Sequence, residues 1–228
     1  VGELRGGVFY GHLVSQPRIG DPNALPSFRH RLVGPHFEAS FDTFDNGNFP
    51  SSGSYAQVSG YFPRGSMGGD ISYDKLDATF GQAFALGDAS VLAVVEGGSN
   101  LGSNLPLYEQ FQLGGFLSLA GERQGQLRGD RIFDAHGIYA WRAGMLPTGV
   151  GRGWYLGFGM DAGTVWGNTN LQPGDSGMQY GVTAFLGADT LVGPLYFGFG
   201  AGKSGNRTFF LYLGIPINGN TLAPSFGN

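Results

Sequence analysis

Three patterns in the 228-residue chain hold residue types that could do chemistry. Gly174–Gly177 (GDSG) sets a serine beside an acid between glycines, as a nucleophile turn would. The residues before it, 168–173, read as loop, and none of His12, His30, His36 and His136 stands in a motif that would make it the base. Gly65–Gly69 (GSMGG) lacks the serine placement and the following helix of a G-x-S-x-G elbow. The third pattern is the carboxylate of Asp161 with Arg123 and Arg128 upstream. A guanidinium is a fixed fork for a carboxylate, so the chemistry expected there is an ion pair that fixes a segment in place. The runs GFGMDAG (157–163) and GFGAG (198–202) space their glycines at strand period with no helix behind, so they are not dinucleotide loops. With no cysteine, thiolate metal sites and a cysteine nucleophile are excluded. No catalytic, cofactor-binding or metal residue is assigned.

The elements that must position Asp161 are a strand and a loop. In 155–166, Leu156, Phe158, Met160 and Ala162 alternate with Gly157, Gly159, Asp161 and Gly163. Period two therefore predicts a strand with a bulky apolar face and a face of glycine and carboxylate. The loop is FQLGGFLSLAGERQGQLRGD, 111–130, polar and glycine-rich, yet with Phe111, Phe116 and Leu119 around Gly114–Gly115. Such a mixture suits a segment folded against a concave wall. Residues 113–129 are expected to fold there, with Gly114, Gly115 and Gly121 permitting close approach and Arg123 or Arg128 near Asp161, where Gly159 and Gly163 leave room.

Glycine is 43 of 228 residues and charge only 13%, against about 7% and about 25% in ordinary globular chains, while Phe and Tyr are abundant. Disorder is typically aromatic-poor and does not fit. A net charge of −4 without a basic tract excludes nucleic acid as a partner. No apolar run is long enough for a membrane helix, whereas membrane strands need only about 9–11 alternating residues. Strands are predicted at about 1–13, 32–44, 54–62, 71–84, 89–99, 131–143, 154–166, 177–190, 194–202 and 208–217. Short turns at Gly87–Asp88 and Gly193–Pro194 alternate with longer connections at 14–31, 100–130 and 167–176, as in outer-membrane barrels. Trp141, Trp154, Trp166, Tyr61, Phe62 and Phe84 fall at strand ends, where interface girdles lie. The fold class is all-β, a transmembrane antiparallel β-barrel spanning 1–217 with a tail at 218–228. Phe158, Phe197 and Leu211 are expected to face lipid, Gly157, Gly198 and Tyr212 to face inward, and a modest polar group at Gly198 to be tolerated.

Three pieces, FDTFDNGNFPSSG (41–53), LGGFLSLAGERQGQLRG (113–129) and GFGMDAGTVW (157–166), resemble in order and spacing the C-terminal part of the bacterial surface antigen family. These outer-membrane barrels include the central protein of the barrel assembly machine, two-partner secretion transporters, and patatin-type phospholipases with a fused barrel. The leucine before Ala120–Gly121 and the run Gln126–Gly129 look most similar to the patatin branch. The resemblance implies the bacterial outer membrane, lipid as surroundings, a protein passenger, no cofactor, and a barrel of sixteen strands. About ten are read here, and the first starts at Val1 without preamble, so the chain is expected to be part of a larger barrel. Fused periplasmic modules or an upstream hydrolase domain are also implied. In the family an arginine before the loop's central glycine pairs with an inward acid. By motif those places fall on Ala120 and Asp161, and Glu122 stands where an aromatic is usual, which leaves two alternatives: Arg123 or Arg128 substitutes as the partner, or Asp161 simply faces lumen water. Three functions compete with passenger insertion or translocation: an anchor for a phospholipase, a passive pore, and a soluble β-sandwich binding module.

Overall fold

A computed structural model describes residues 1–15, 27–167, 177–203 and 205–214. The strands in chain order are β1 Gly2–Ser15, β2 Phe28–Asp42, β3 Gly53–Tyr61, β4 Lys75–Leu86, β5 Ala89–Ser99, β6 Phe111–Leu113, β7 Leu127–Gly129, β8 Arg131–Gly144, β9 Gly151–Trp166, β10 Gln179–Thr190, β11 Gly193–Gly202 and β12 Arg207–Leu213. Ten form one antiparallel meander in which each strand pairs with the next, β5 joining β8. The remaining two, β6 and β7, make a small ribbon within the long connection. Among the described residues β1 pairs only with β2 and β12 only with β11, so the sheet is not closed. The serine of GDSG, most of the 14–31 and 167–176 connections, the end of the last predicted strand and the tail 218–228 lie outside the described residues.

Alternation sets the strands. In β9, Phe158 and Met160 are exposed while Gly159 and Asp161, which alternate with them, are buried, and the same alternation runs through β10 and β11. Contacts between the β2–β3 turn and β10 require the sheet to curl. The two sites are five strand spacings apart, or roughly 24 Å if flat. Both core clusters lie on the inner parity. One gathers Phe111, Leu113, Leu119 and Leu127 of the long connection with Ile132 and Val165; the other gathers Phe116 and Leu117 with Phe49, Phe185 and Tyr196.

The structure departs from the predictions at three places. Strand runs into both ends of the expected 14–31 connection, since β1 continues to Ser15 and β2 starts at Phe28, where the two pair in register down to Ser15 opposite Phe28. Residues 71–74 are not strand: Tyr73 is 1% exposed and turned inward, and Arg64 Nη1 donates to its carbonyl at 2.9 Å, so the apolar pair Ile71 and Tyr73 mimics strand period. Tyr61 is not a girdle residue, since it lies inward and stacks on Phe9 at 4.1 Å. Trp141, Trp154, Trp166 and Phe84 are exposed at strand ends.

Candidate functional site

The 111–129 segment enters as the β6–β7 ribbon, with Gln112 opposite Arg128 and Leu113 opposite Leu127. Gly114 and Gly115 leave it with φ of 115° and 123°, a region that side chains rarely adopt. Phe111 and Leu119 are 0% and 1% exposed, so the bulky groups serve as anchors. The tip lies on the wall of β9, β10 and β11. Ala120 N–H donates to Asp161 Oδ2 at 3.2 Å, Ser118 Oγ donates to Asp134 Oδ2 at 3.2 Å, and Asn206 Nδ2 donates to Glu122 at 3.3 Å. A Cβ on Gly121 would lie 2.1 Å from Gly202 N, and one on Gly200 would lie 2.4 Å from Ala120 O. Loop and strand therefore meet backbone to backbone.

Two expectations are corrected here. The partner that holds Asp161 is the loop backbone rather than a guanidinium. Arg128 Nε donates to Gly125 O at 3.3 Å, Arg123 is exposed, and neither arginine forms an ion pair with Asp161 among the described residues. The room expected beside Asp161 is also taken, since Leu117 Cδ2 lies 2.8 Å and Leu113 Cδ2 2.9 Å from where Cβ atoms on Gly159 and Gly163 would stand. An apolar side chain fills such a slot without desolvating a charge, so leucines and a peptide N–H do what a long cation was expected to do. Gly198 likewise has no room for a polar group, with Phe116 Cε2 at 2.9 Å from its notional Cβ. Gly157 is covered by Phe185 and Tyr212 packs on Phe116, both on the inner side. Phe158, Phe197 and Leu211 are 44%, 56% and 76% exposed on the opposite face.

Sequence reasoning missed a second inward segment, the β2–β3 turn. Asp45 accepts from Ser51 N at 2.8 Å and Ser52 N at 3.1 Å and folds the turn on itself. Burial works to raise this carboxyl, but its bonds to the Ser51 side chain and to Ser51 and Ser52 N–H outweigh it and hold the group below the usual range. Asn48 Nδ2 then donates to Asp189 Oδ1 at 2.7 Å, Asn46 Nδ2 to Asp189 Oδ2 at 3.4 Å, and Tyr196 OH to Asn48 O at 3.2 Å. Phe49 stacks on Tyr155, with centroids 4.0 Å apart and planes 4° from parallel. The available signal was Phe49 in an otherwise polar turn, together with Asp189 on the inner parity at the end of β10. Among the described residues no three His, Cys, Asp or Glu side chains are grouped to hold a metal ion.

An apolar exposed face, an inner face of glycine and buried carboxylate, and a loop folded against it define an outer-membrane β-barrel with an occupied interior. Residues 20–215 match the Omp85 superfamily domain; the chain belongs to that family and to the bacterial outer membrane. Among solved structures it is similar to the crystal structure of BamA from Haemophilus ducreyi lacking POTRA domains 1–3, with a TM-score of 0.72 and 16% identity. That match covers 92% of this chain and 50% of the other, so the chain spans about half the length of its structural neighbour. None of the curated proteins matches the chain in sequence.

Proposed function

We propose that the chain is the barrel part of an outer-membrane protein that inserts or translocates a protein passenger, within a barrel of more strands than are present here. The observation that carries this reading is the 111–129 loop docked backbone to backbone on β9–β11, through Ala120–Asp161 and the close approach of Gly121 to Gly202. A passive pore would keep its lumen free, and a soluble sandwich would not leave Phe80, Phe197 and Phe209 at 52%, 56% and 74% exposure on one face. Membership of the Omp85 superfamily and the BamA-like fold favour chain handling over simple permeation. The second reading, an anchor for a patatin-type phospholipase, is supported by the runs Leu119–Gly121 and Gln126–Gly129, and hydrolysis would then belong to a separate domain. No catalytic group is proposed within this chain.

The test is reconstitution of the protein in vesicles, with the rate at which an unfolded barrel client becomes protease-resistant as the readout for insertion and passage of a labelled polypeptide as the readout for translocation. Acceleration of either over bare vesicles is expected. No acceleration of either, with lipid cleavage by an attached domain instead, would select the anchor.

A further inference from the structure

The outward face of the sheet is not evenly bulky. Near the long-connection end, Ala135 of β8 is the cross-strand partner of Ala162 of β9, Ala162 that of Tyr180 of β10, and Lys203 after β11 donates its peptide N–H to Tyr180 O at 2.9 Å. One row nearer the middle of the sheet, Gly137, Met160, Val182, Ala201 and Arg207 are successive partners. The small residues of these rows leave an open hollow of about 420 Å³, bordered by Ala135, Ala162 and Ala201 with Met160, Tyr180 and Val182, and with Lys203 at its end. Met160, Tyr180 and Val182 are exposed, as Phe158 and Phe197 are. Asp161 also borders the hollow, but its carboxylate turns away to Ala120 N–H of the loop.

In a bilayer an apolar hollow is filled by hydrocarbon, because a void forfeits dispersion contacts. This one also has charge at one end. Lys203 Nζ donates to Met178 O at 3.2 Å and lies 5.9 Å from the centroid of the Tyr180 ring, so the ammonium is held over the rim with N–H donors to spare. Arg207 is exposed on the same parity as Phe209 and Leu211, beside Ala201. Among the described residues neither cation forms an ion pair. Long connections of such barrels are extracellular, which places both cations and the Tyr180 ring at the headgroup level of the outer leaflet. Two cations match a phosphate monoester, which carries about −1.5 to −2 charge near neutral pH.

We propose that this hollow seats one lipid of the outer leaflet that bears a phosphate monoester, with an acyl chain along Ala135, Ala162 and Ala201 and the phosphate against Lys203 and Arg207. Charge-assisted hydrogen bonds from the two cations select the headgroup. The apolar floor holds the chain. The inference concerns the lipid-facing wall and stands whether or not the barrel handles a protein passenger.

The experiment is native mass spectrometry of the protein released from phosphatidylcholine nanodiscs that contain a minor share of lipid A, with phosphatidylglycerol in its place in a parallel set. The wild type should retain one lipid A in preference to phosphatidylcholine, and to hold phosphatidylglycerol, a singly charged diester, less well. The preference should fall about tenfold when Lys203→Gln and Arg207→Gln are combined, as expected for loss of charge-assisted hydrogen bonds, and Lys203→Arg should keep it. Ala162→Phe, which fills the hollow with an apolar group on a face already in lipid, should lower retention with both cations intact. No preference of the wild type for lipid A, or equal retention of phosphatidylglycerol, would overturn the proposal. Wild-type retention in Ala162→Phe would overturn it too, since only a general attraction of basic groups for anions would be left. If Ala162→Phe does not fold, Ala135→Leu fills the same floor and is read in the same way.

Discussion

Asp161 and the glycines around it show how much one position can hold. Its Oδ2 accepts the peptide N–H of Ala120, itself 0% exposed, so Asp161→Ala would strand a buried donor. An unsatisfied donor of this kind costs about 1–3 kcal/mol, concentrated on the loop rather than the strands. Faster protease cleavage between Leu119 and Arg128, with barrel heat resistance little changed, is the expected outcome. Gly200→Val should do the same by sterics, because its Cβ would meet Ala120 O at 2.4 Å and Ala120 Cβ at 2.5 Å. Gly137→Val is the control, since its notional Cβ meets nothing within 4 Å, and it should leave cleavage unchanged. The sequence showed where these glycines lie, because parity alone separates Gly157, Gly159 and Gly163 from Phe158 and Met160. What occupies them was not legible: choosing Leu113, Leu117 and Ala120 over an arginine depends on loop geometry that no spacing rule encodes.

At the scale of elements, the strands were legible and the inward turn was not. Alternation in β9, β10 and β11 survives into exposure because each strand has one face for solvent or lipid and one for packing. Phe197, paired with Leu211 on β12 and Leu186 on β10, sits in the middle of the apolar face. Phe197→Arg should lower stability by about 2–4 kcal/mol near the bilayer midplane, measured by reversible unfolding from lipid vesicles. No change there would remove the lipid-facing assignment of this parity. The β2–β3 turn escaped because its partners lie 141 and 143 residues away, and DNGNFPSSG reads locally as an ordinary turn. Asp189→Ala should free Asn46 and Asn48 together. The expected result is faster exchange at residues 46–50, with the strands still protected.

At the scale of the whole molecule, the two inward segments meet. The loop comes from the long-connection end and the turn from the short-turn end, and the ring of Tyr196 lies 5.2 Å from Phe116 of the first and 5.2 Å from Phe49 of the second. Leu117, Phe49 and Phe185 line the small cavity left between them. The interior against β9–β11 is thus packed from both ends, with aromatic rings contributing about 0.5–1.5 kcal/mol per pair beyond area burial. An interior filled in this way should pass little ion current, so the folded protein in a planar bilayer is expected to show near-baseline conductance. Deleting residues 115–126 removes Phe116, Leu117 and the Ala120 contact with Asp161 at once, and should raise conductance severalfold while the sheet stays folded. Asp189→Ala loosens only the turn and leaves Phe116 on Phe185 at 5.8 Å, so its conductance should rise less. If the intact protein conducts as freely as the deletion, the loop and turn do not seal the lumen and a passive pore becomes the better account of the same fold.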